Sequence, residues 1–511
     1  MRTNSRIFRN TGLVSLGTLS SRLLGLIREM MMAWVFGTGG VGSAFVVAFT
    51  IPNLFRRLFG EGALSAAFIP SFIRIQKSEG DAAAWQLTRN VTSLLILILG
   101  SISFVGMLGC TYALAWEGLP PKVVDIFHSL RILLPYMIWI CLAAITMGVL
   151  NAHRKFVVPA FAPCLLNVIW IAVLWGVGFF PGLSEEDKVE LICWSILVAG
   201  ILQFAVQLPP IRTLGYRRPE KIEPFAPEVK SVLRLMGPAA LGAAIVQINV
   251  VMDRILAIWV ADYGPLALSY SERLIYLPLG LFATALGTTL LPEFSDLVHE
   301  NNREKIGRTL DQSLRVLMFV MIPAAVGLAG LATPIVSAVF ERGEFDSTST
   351  LVTSRALFFY APGLIVFSAS KIFIPLFYAH SDTRTPVMIG IVTVSANLSL
   401  NLLFILILPP GWKHAGLAMG TVLSSLIQVI ILSLLAQKRF AHIHWKSIWN
   451  SWIRQALCCI PMLIGARAVY SLFSTWPQLI AVGLAILTAV ILYGLSSLLL
   501  QCPELKELRN K

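Results

Sequence analysis

The chain alternates long apolar runs with short polar turns. Runs such as Val91–Leu108 and Leu479–Leu500 carry no charged residue. They are too long for buried strands and lack the ten-residue alternation of a transmembrane β-barrel. Helices of about 20 residues crossing a hydrocarbon layer fit them. The pattern predicts fourteen spans, at 11–36, 43–72, 84–114, 123–150, 158–180, 189–210, 229–261, 266–293, 308–340, 350–378, 385–408, 413–436, 450–472 and 476–500. The polar segments Arg212–Lys230 and Gln437–Lys446 are the clearest breaks between groups of spans.

Composition narrows the class. Of 511 residues, 56% are hydrophobic and 13% charged, against roughly 25% charged in a soluble domain. Mean hydropathy is +0.77. So few charges cannot cover the surface of a soluble enzyme, and a disordered chain would be apolar-poor. The fold class is therefore an all-α polytopic membrane protein. The net charge of +13 reads as positive-inside bias, not as a nucleic-acid footprint. One set of loops holds Arg2, Arg6, Arg9, Arg74, Lys77, Arg154, Lys155, Arg212, Arg217, Arg218, Lys221, Arg303, Lys305, Arg308, Arg384, Lys438, Arg439, Lys446, Lys506, Arg509 and Lys511. The alternate set holds scattered cations such as Lys122, Lys188, Arg342 and Lys413. Both termini are expected in the cytoplasm, with an even number of spans. The first span, interrupted by Arg22 and Arg28, does not read as a cleavable signal peptide. The seven cysteines show no CxxC or metal-ligand spacing and read as buried thiols.

A weak internal repeat divides the chain. Asn151-Ala-His153 with Pro159 resembles Tyr378-Ala-His380 with Pro386, and the run ending Pro70-Ser-Phe72 resembles that ending Pro292-Glu-Phe294. The offsets are 227 and 222 residues. The expected organisation is an N-terminal lobe over 1–212 (helices 1–6), a cytoplasmic linker over 213–228, a C-terminal lobe over 229–437 (helices 7–12), and helices 13–14 with a cytoplasmic tail over 438–511. Like halves with a site at their interface are a common transporter plan; chance similarity of turns is the alternative.

Charges inside apolar spans are costly and should face a cavity or a partner. Arg22 and Glu29 lie seven apart on one helix face, and Arg28 adds a second cation. Asn53, Arg57 and Glu61 are spaced by four, with Arg56 adjacent. Adjacent arginines diverge, so one of Arg56 and Arg57 would bind substrate while the other pairs with Glu61 or Glu29. Glu272 and Arg273 open the eighth span, and Lys371 sits within the tenth. Arginines around one cleft form an anion trap, because guanidinium forks match phosphate oxygens. A structural Arg–Glu network or snorkelling side chains are the plainer alternatives. Asn249 with Asp253, Asn397 with Asn401, and Thr421 offer hard oxygen ligands for a small cation, or interhelical hydrogen bonds.

Several motifs carry a family resemblance. Ser21-Arg22-x-x-Gly25-x-x-Arg28 is followed by Pro52-Asn53-Leu-x-Arg56-Arg57-x-x-x-Glu61-Gly62-Ala63-x-Ser65-x-Ala67-Phe68-x-Pro70. Arg273-Leu-x-x-x-Pro278-x-Gly280, Leu286-Gly287-Thr288-x-Leu290-Leu-Pro292, Phe340-x-x-Gly343-x-Phe345 and His414-Ala-Gly416-Leu417 extend the match over nearly the whole chain. Together they closely resemble the MurJ (MviN) family of lipid II flippases, within the multidrug/oligosaccharidyl-lipid/polysaccharide exporter superfamily. The resemblance implies two six-helix lobes plus two helices shaping a groove for a polyprenyl tail. It implies a transporter, not an enzyme, in the inner membrane of a bacterium. The substrate would be the undecaprenyl-pyrophosphate-linked peptidoglycan precursor, moved to the periplasmic leaflet by alternating access and driven by membrane potential and a sodium gradient. It matches Arg22, Arg28, Arg57 and Arg273 to required cavity arginines, with Asn53 and Arg56 beside them. Glu29, Glu61, Glu272 and Lys371 would serve gating or charge pairing. Asp253, Asn397, Asn401 and Thr421 would form a sodium site; no other cofactor is implied. Expected partners are lipid II, membrane lipids and cell-wall synthesis proteins, with the chain acting as a monomer. Ser43 departs from the family where an acidic residue is frequent, and Glu272 stands where Asp is frequent.

The alternatives are another superfamily exporter, for polysaccharide lipids or drug cations, a membrane glycosyltransferase, and a cell-wall scaffold. A cation exporter calls for an acidic cavity. No DDxxD, HExxH or GxxxxGK[ST] motif is present. Glu185-Glu-Asp187 reads as a solvated outer loop.

Overall fold

The computed structural model describes the backbone of residues 2–60, 63–180, 182–216, 221–300 and 302–505, and their side chains except at 2–15, 59–60, 63–66, 238–239 and 241. Glu61, Arg217, Arg218, Lys506, Arg509 and Lys511 lie outside the described residues, as do the side chains of Arg2, Arg6 and Arg9. All described secondary structure is helical. Among the described residues, ten helices are long and apolar enough to cross a membrane, or twelve when each of two bent pairs is one span. The 35-residue helix Arg2–Phe36 and the broken run through Gly40–Phe55 and Ala63–Glu79 complete the expected fourteen. Leu406 and Leu499 are more than four-fifths exposed, the mark of side chains that lipid would cover. The protein is a multi-pass membrane protein.

The chain forms two compact units, Met1–Pro265 and Leu266–Lys511. The first contains α1 (Arg2–Phe36), α2 (Gly40–Phe55), α3 (Ala63–Glu79), α4 (Asp81–Leu114), α5 (Pro121–Leu133), α6 (Tyr136–Ala152), α7 (Val157–Gly178), α8 (Glu185–Ala205), α9 (Leu208–Thr213) and α10 (Pro227–Val260). After α11 (Gly264–Pro278), the second contains α12 (Thr284–His299), α13 (Arg303–Gly330), α14 (Ala332–Phe340), α15 (Ser347–Tyr360), α16 (Gly363–Ala379), α17 (Arg384–Ile407), α18 (Lys413–Arg439), α19 (Trp445–Leu472) and α20 (Gln478–Leu499). This division differs from the expected lobes by one helix. The polar segment before α10 suggests a boundary there, yet α10 packs on α2, α3 and α4 of the first unit.

The same devices recur in each unit. A π-helical turn, Arg56–Gly60, follows Pro52 in the first, and another, Leu279–Ala283, follows Pro278 in the second. Proline removes one backbone donor and crowds the preceding turn, so the ladder slips to wider spacing. The pair α5 and α6 bends by 41°, and α15 and α16 by 43°. Each bent pair ends alike. His153 Nδ1 lies 2.9 Å from the Val149 carbonyl and His380 Nδ1 lies 2.9 Å from that of Leu376. Arg154 and Ser381 then both take φ of 58°. After the second turn Asp382 receives the Thr385 amide and hydroxyl and an Arg439 guanidinium nitrogen at 3.1 Å. Partial burial opposes ionisation, but these bonds and the arginine outweigh it and hold the carboxyl below its usual range.

Other family motifs are packing devices. Tyr270, Phe340 and Phe345 form an aromatic cluster with centroids 5.1–5.7 Å apart, and Gly343 between them takes φ of 62°. A Cβ on Gly287 of α12 would fall 2.9 Å from the Lys371 carbonyl of α16. His414 is fully buried with Nε2 2.8 Å from the Val352 carbonyl. Glu185, Glu186 and Asp187 correct the loop expectation. They form the first turn of α8, capped by Ser184, where negative charge meets the positive end of the helix dipole.

Two stability outcomes follow. A Cβ on Gly307 would meet the His442 carbonyl, whereas one on Gly327 of the same helix meets nothing within 4 Å. Gly307→Ala should lower the melting midpoint in detergent, by about 1–3 kcal/mol of overpacking, while Gly327→Ala should hold or raise it. For Asp382→Asn, the lowered carboxyl pKa sets the sign. Asp382 stabilises the fold above its unfolded pKa and loses that contribution as pH falls through its folded pKa. Midpoints of variant and parent should therefore converge on acidification.

Candidate functional site

In the first unit α1 packs along α7, and one polar cluster forms at that seam. Arg28 gives a hydrogen bond to Asn167 Oδ1 at 3.1 Å and an ion pair to Glu29 at 2.6 Å. Its guanidinium lies 4.4 Å from the ring centroid of Trp170. Trp170 sits edge-on to Phe45 and Phe49 of α2, and Asn167 also donates to the Ser21 carbonyl at 3.3 Å. Planar guanidinium suits this combination of fork and stacked face. Arg28 and Glu29 are nearly buried, at 12% and 10% side-chain exposure, so each depends on its partners. Arg22 is exposed and has no hydrogen bond or ion pair among the described residues. The shared Arg22–Glu29 face thus yields no pair; the neighbouring Arg28 takes Glu29.

The π-turn carries the arginines of the next motif. Helical spacing predicts that Asn53 stacks with Arg57, yet Arg56 Nε donates to Asn53 Oδ1 at 2.7 Å. Residues three apart also neighbour one another on a helix, and Asn53 takes that partner while Arg57 reaches α10. The two arginines diverge as expected. Arg56 is half-buried and lines a cavity with residues of α6, α7 and α8. Arg57 is exposed and donates to Gln247 Oε1 on α10 at 3.3 Å. Glu61 falls outside the described residues. On α10, Asn249 Nδ2 reaches Asp253 Oδ2 at 3.5 Å.

In the second unit, half-buried Arg273 follows Glu272, whose carboxylate accepts the Tyr360 hydroxyl at 3.0 Å. Lys371 is exposed on α16. Asn401 donates to Asn397 at 2.9 Å, and Asn397 donates to Thr421 at 3.2 Å. A Cβ on Gly420 would meet Asn401 Oδ1, so α17 and α18 approach closely at this cluster. Ser43 is fully buried. Among the described residues no group of three or more His, Cys, Asp or Glu could hold a metal ion.

Sequence reading missed Asn167, Trp170 and Gln247 as partners of the arginines. Asn167 and Gln247 are isolated polar residues within apolar spans, a signal that was available. Trp170 carried none. The cluster generates a stability contrast. Arg28→Ala strips a nearly buried Glu29 of its ion pair and should destabilise the chain by about 3 kcal/mol. Arg22→Ala should stay within about 0.5 kcal/mol of the parent. Melting midpoints in detergent would test both.

Known proteins place this architecture. A family model described as lipid II flippase MurJ matches residues 32–491. A probable lipid II flippase MurJ of Rhizobium meliloti is 34% identical over 466 residues, covering 88% of this chain and 83% of the relative. The lipid II flippase MurJ of Burkholderia cenocepacia is 34% identical over 448 residues, covering 85% and 84%. A solved lipid II flippase MurJ in an inward closed conformation superposes with a TM-score of 0.79 at 26% identity, covering 95% of this chain and 98% of that one. An inward-facing multidrug resistance MATE transporter of the MOP superfamily shares the fold, with a TM-score of 0.67 at 16% identity over 83% of this chain and 97% of that one. The relatives are transporters, and with the family matched over residues 32–491 this chain belongs to the MurJ family of lipid II flippases.

Proposed function

We propose that this chain moves lipid II from the cytoplasmic to the outer leaflet of a bacterial cytoplasmic membrane by alternating access. The observation that carries the reading is membership of the family across residues 32–491. The cationic residues of the first unit support it, since Arg28, Arg56 and Arg57 supply guanidinium donors suited to a pyrophosphate, whereas a drug cation would meet repulsion. Arg57 is exposed and held by one long hydrogen bond, so it exchanges that bond for phosphate at little structural cost. Arg28 is spent on Glu29, Asn167 and Trp170 and shapes the site more than it binds. Arg22 and Arg273 add cationic character from α1 and α11.

An inside-negative potential favours outward movement of an anion by about 2.3 kcal/mol per charge per 100 mV. Two net charges on the head group make that about 4.6 kcal/mol, enough to bias the cycle without ATP. Both termini face the cytoplasm, the polyprenyl tail stays in lipid beside α19 and α20, and one copy suffices. Cell-wall synthesis proteins are its partners in the membrane. For a sodium ion, Asp253, Asn397, Asn401 and Thr421 are the residues that would hold it, and the last three supply hard oxygen donors in one cluster. When bound, that ion would couple its gradient to resetting the empty carrier. Otherwise Asn401 donates to Asn397, and Asn397 donates to Thr421 and so ties α17 to α18.

Labelled lipid II in proteoliposomes tests the reading. Translocation should accelerate under a potential oriented as in the cell. Arg57→Ala should cut the initial rate at least roughly tenfold, the loss of one charge-assisted contact. An unchanged rate refutes the anion trap. Movement of a drug cation in place of lipid II would favour the exporter alternative.

A further inference from the structure

Lys371 sits at the midpoint of α16, an ammonium within a membrane span. Such a charge is costly, so it is normally paired or turned to water. Sequence reading suggested a charge pair. Yet no carboxylate stands near Lys371 among the described residues, and it makes no hydrogen bond or ion pair with them. Its charge is uncommitted, unlike that of Arg28.

The face that carries it is not a lipid surface. α16 packs against α12, α13 and α18, and one stripe of it stays accessible. Lys371 and Tyr378 are the exposed residues of the helix, seven apart on one face, and half-buried Phe367 and Ile374 complete the stripe. On α20, by contrast, every exposed residue from Leu479 to Leu499 is apolar, as contact with hydrocarbon requires. Helix over about 12 Å separates Lys371 from Ala379 at the nearer end of its bent span, too far for its stem to reach the membrane surface. The ammonium therefore faces water. Its foot is fixed as well. A Cβ on Gly287 of α12 would lie 3.6 Å from Lys371 Cβ, so the bare glycine lets α12 close on α16 at this residue.

We infer that Lys371 binds a carboxylate of the substrate's peptide. A peptidoglycan precursor on a polyprenyl pyrophosphate carries two kinds of anion. Guanidinium forks suit the phosphates, and Arg56 and Arg57 of the first unit supply them. A compact ammonium with three rotatable donors, and no second cation near it among the described residues, suits the single-point contact of a carboxylate. Lys371 then reads the peptide, while the arginines bind the charge common to every polyprenyl pyrophosphate. The inference rests on the lipid II reading above and deepens it.

The test compares three ligands on the full chain in nanodiscs by native mass spectrometry. They are lipid II, lipid II with its peptide carboxylates amidated, and the same lipid-linked disaccharide without peptide. The parent should bind lipid II roughly five- to tenfold more tightly than the other two. Lys371→Met keeps most of the stem and removes the charge. It should bind all three ligands alike, at the parent's level for the peptide-free lipid, and Lys371→Arg should recover most of the preference. A preference for lipid II that survives Lys371→Met would overturn the inference and leave the flippase reading intact. Absence of any preference in the parent would do the same. Weakening of all three ligands by Lys371→Met would also overturn it, since the ammonium would then meet the pyrophosphate or hold the fold. Failure of the parent to bind any of them would sink the flippase reading and the inference with it.

Discussion

Inside a hydrocarbon layer a backbone N–H or C=O without a partner costs several kcal/mol. That single constraint forces this chain into helices and makes every break in a helix an event that needs a local remedy. The breaks here are few and patterned. Proline precedes a π-turn at Arg56–Gly60 and again at Leu279–Ala283. Wider turns keep carbonyls paired while changing the direction in which side chains leave the helix. The first of these turns carries the two arginines, so a solution to a backbone problem also aims the chemistry.

Charge in the same medium obeys a related rule. Arg28 is retained because Glu29, Asn167 and Trp170 share its burden. Arg57 stays near an accessible surface with a single amide partner. The two guanidiniums are chemically identical, yet one is woven into the scaffold and the other is available. Such a division leaves one guanidinium accessible without loosening the packing that holds α1 to α7.

The repeated turns around His153 and His380 show how much of a fold can be written twice with little shared sequence. Each unit reuses a bent helix pair, a histidine bonded back to its own helix and a residue at positive φ. The side chains between these points differ freely, and the polar clusters differ most. Arg28, Arg56 and Arg57 make the first unit cationic, while Asn397, Asn401 and Thr421 join α17 to α18 through neutral amides and a hydroxyl. Geometry is held in common, and chemistry is assigned to each unit separately.

Sequence by itself determined the helical membrane class and the turns of the repeat, because hydrophobic length and loop composition report directly on the cost of burying polar groups. It also determined the family, since the Asn53 to Pro70 motif combines rare charges with rare breaks. Tertiary structure alone decided which partner each arginine takes. Helical spacing joined Asn53 to Arg57, yet Asn53 pairs with Arg56 while Arg57 reaches Gln247 of α10. It joined Arg22 to Glu29, and burial gave Glu29 to Arg28. It left Asn167 and Gln247 unremarked, because only neighbouring helices decide which amide meets which arginine. Local pattern is set by the chain's own periodicity, whereas the partners of a buried polar group are set by whichever helix arrives beside it.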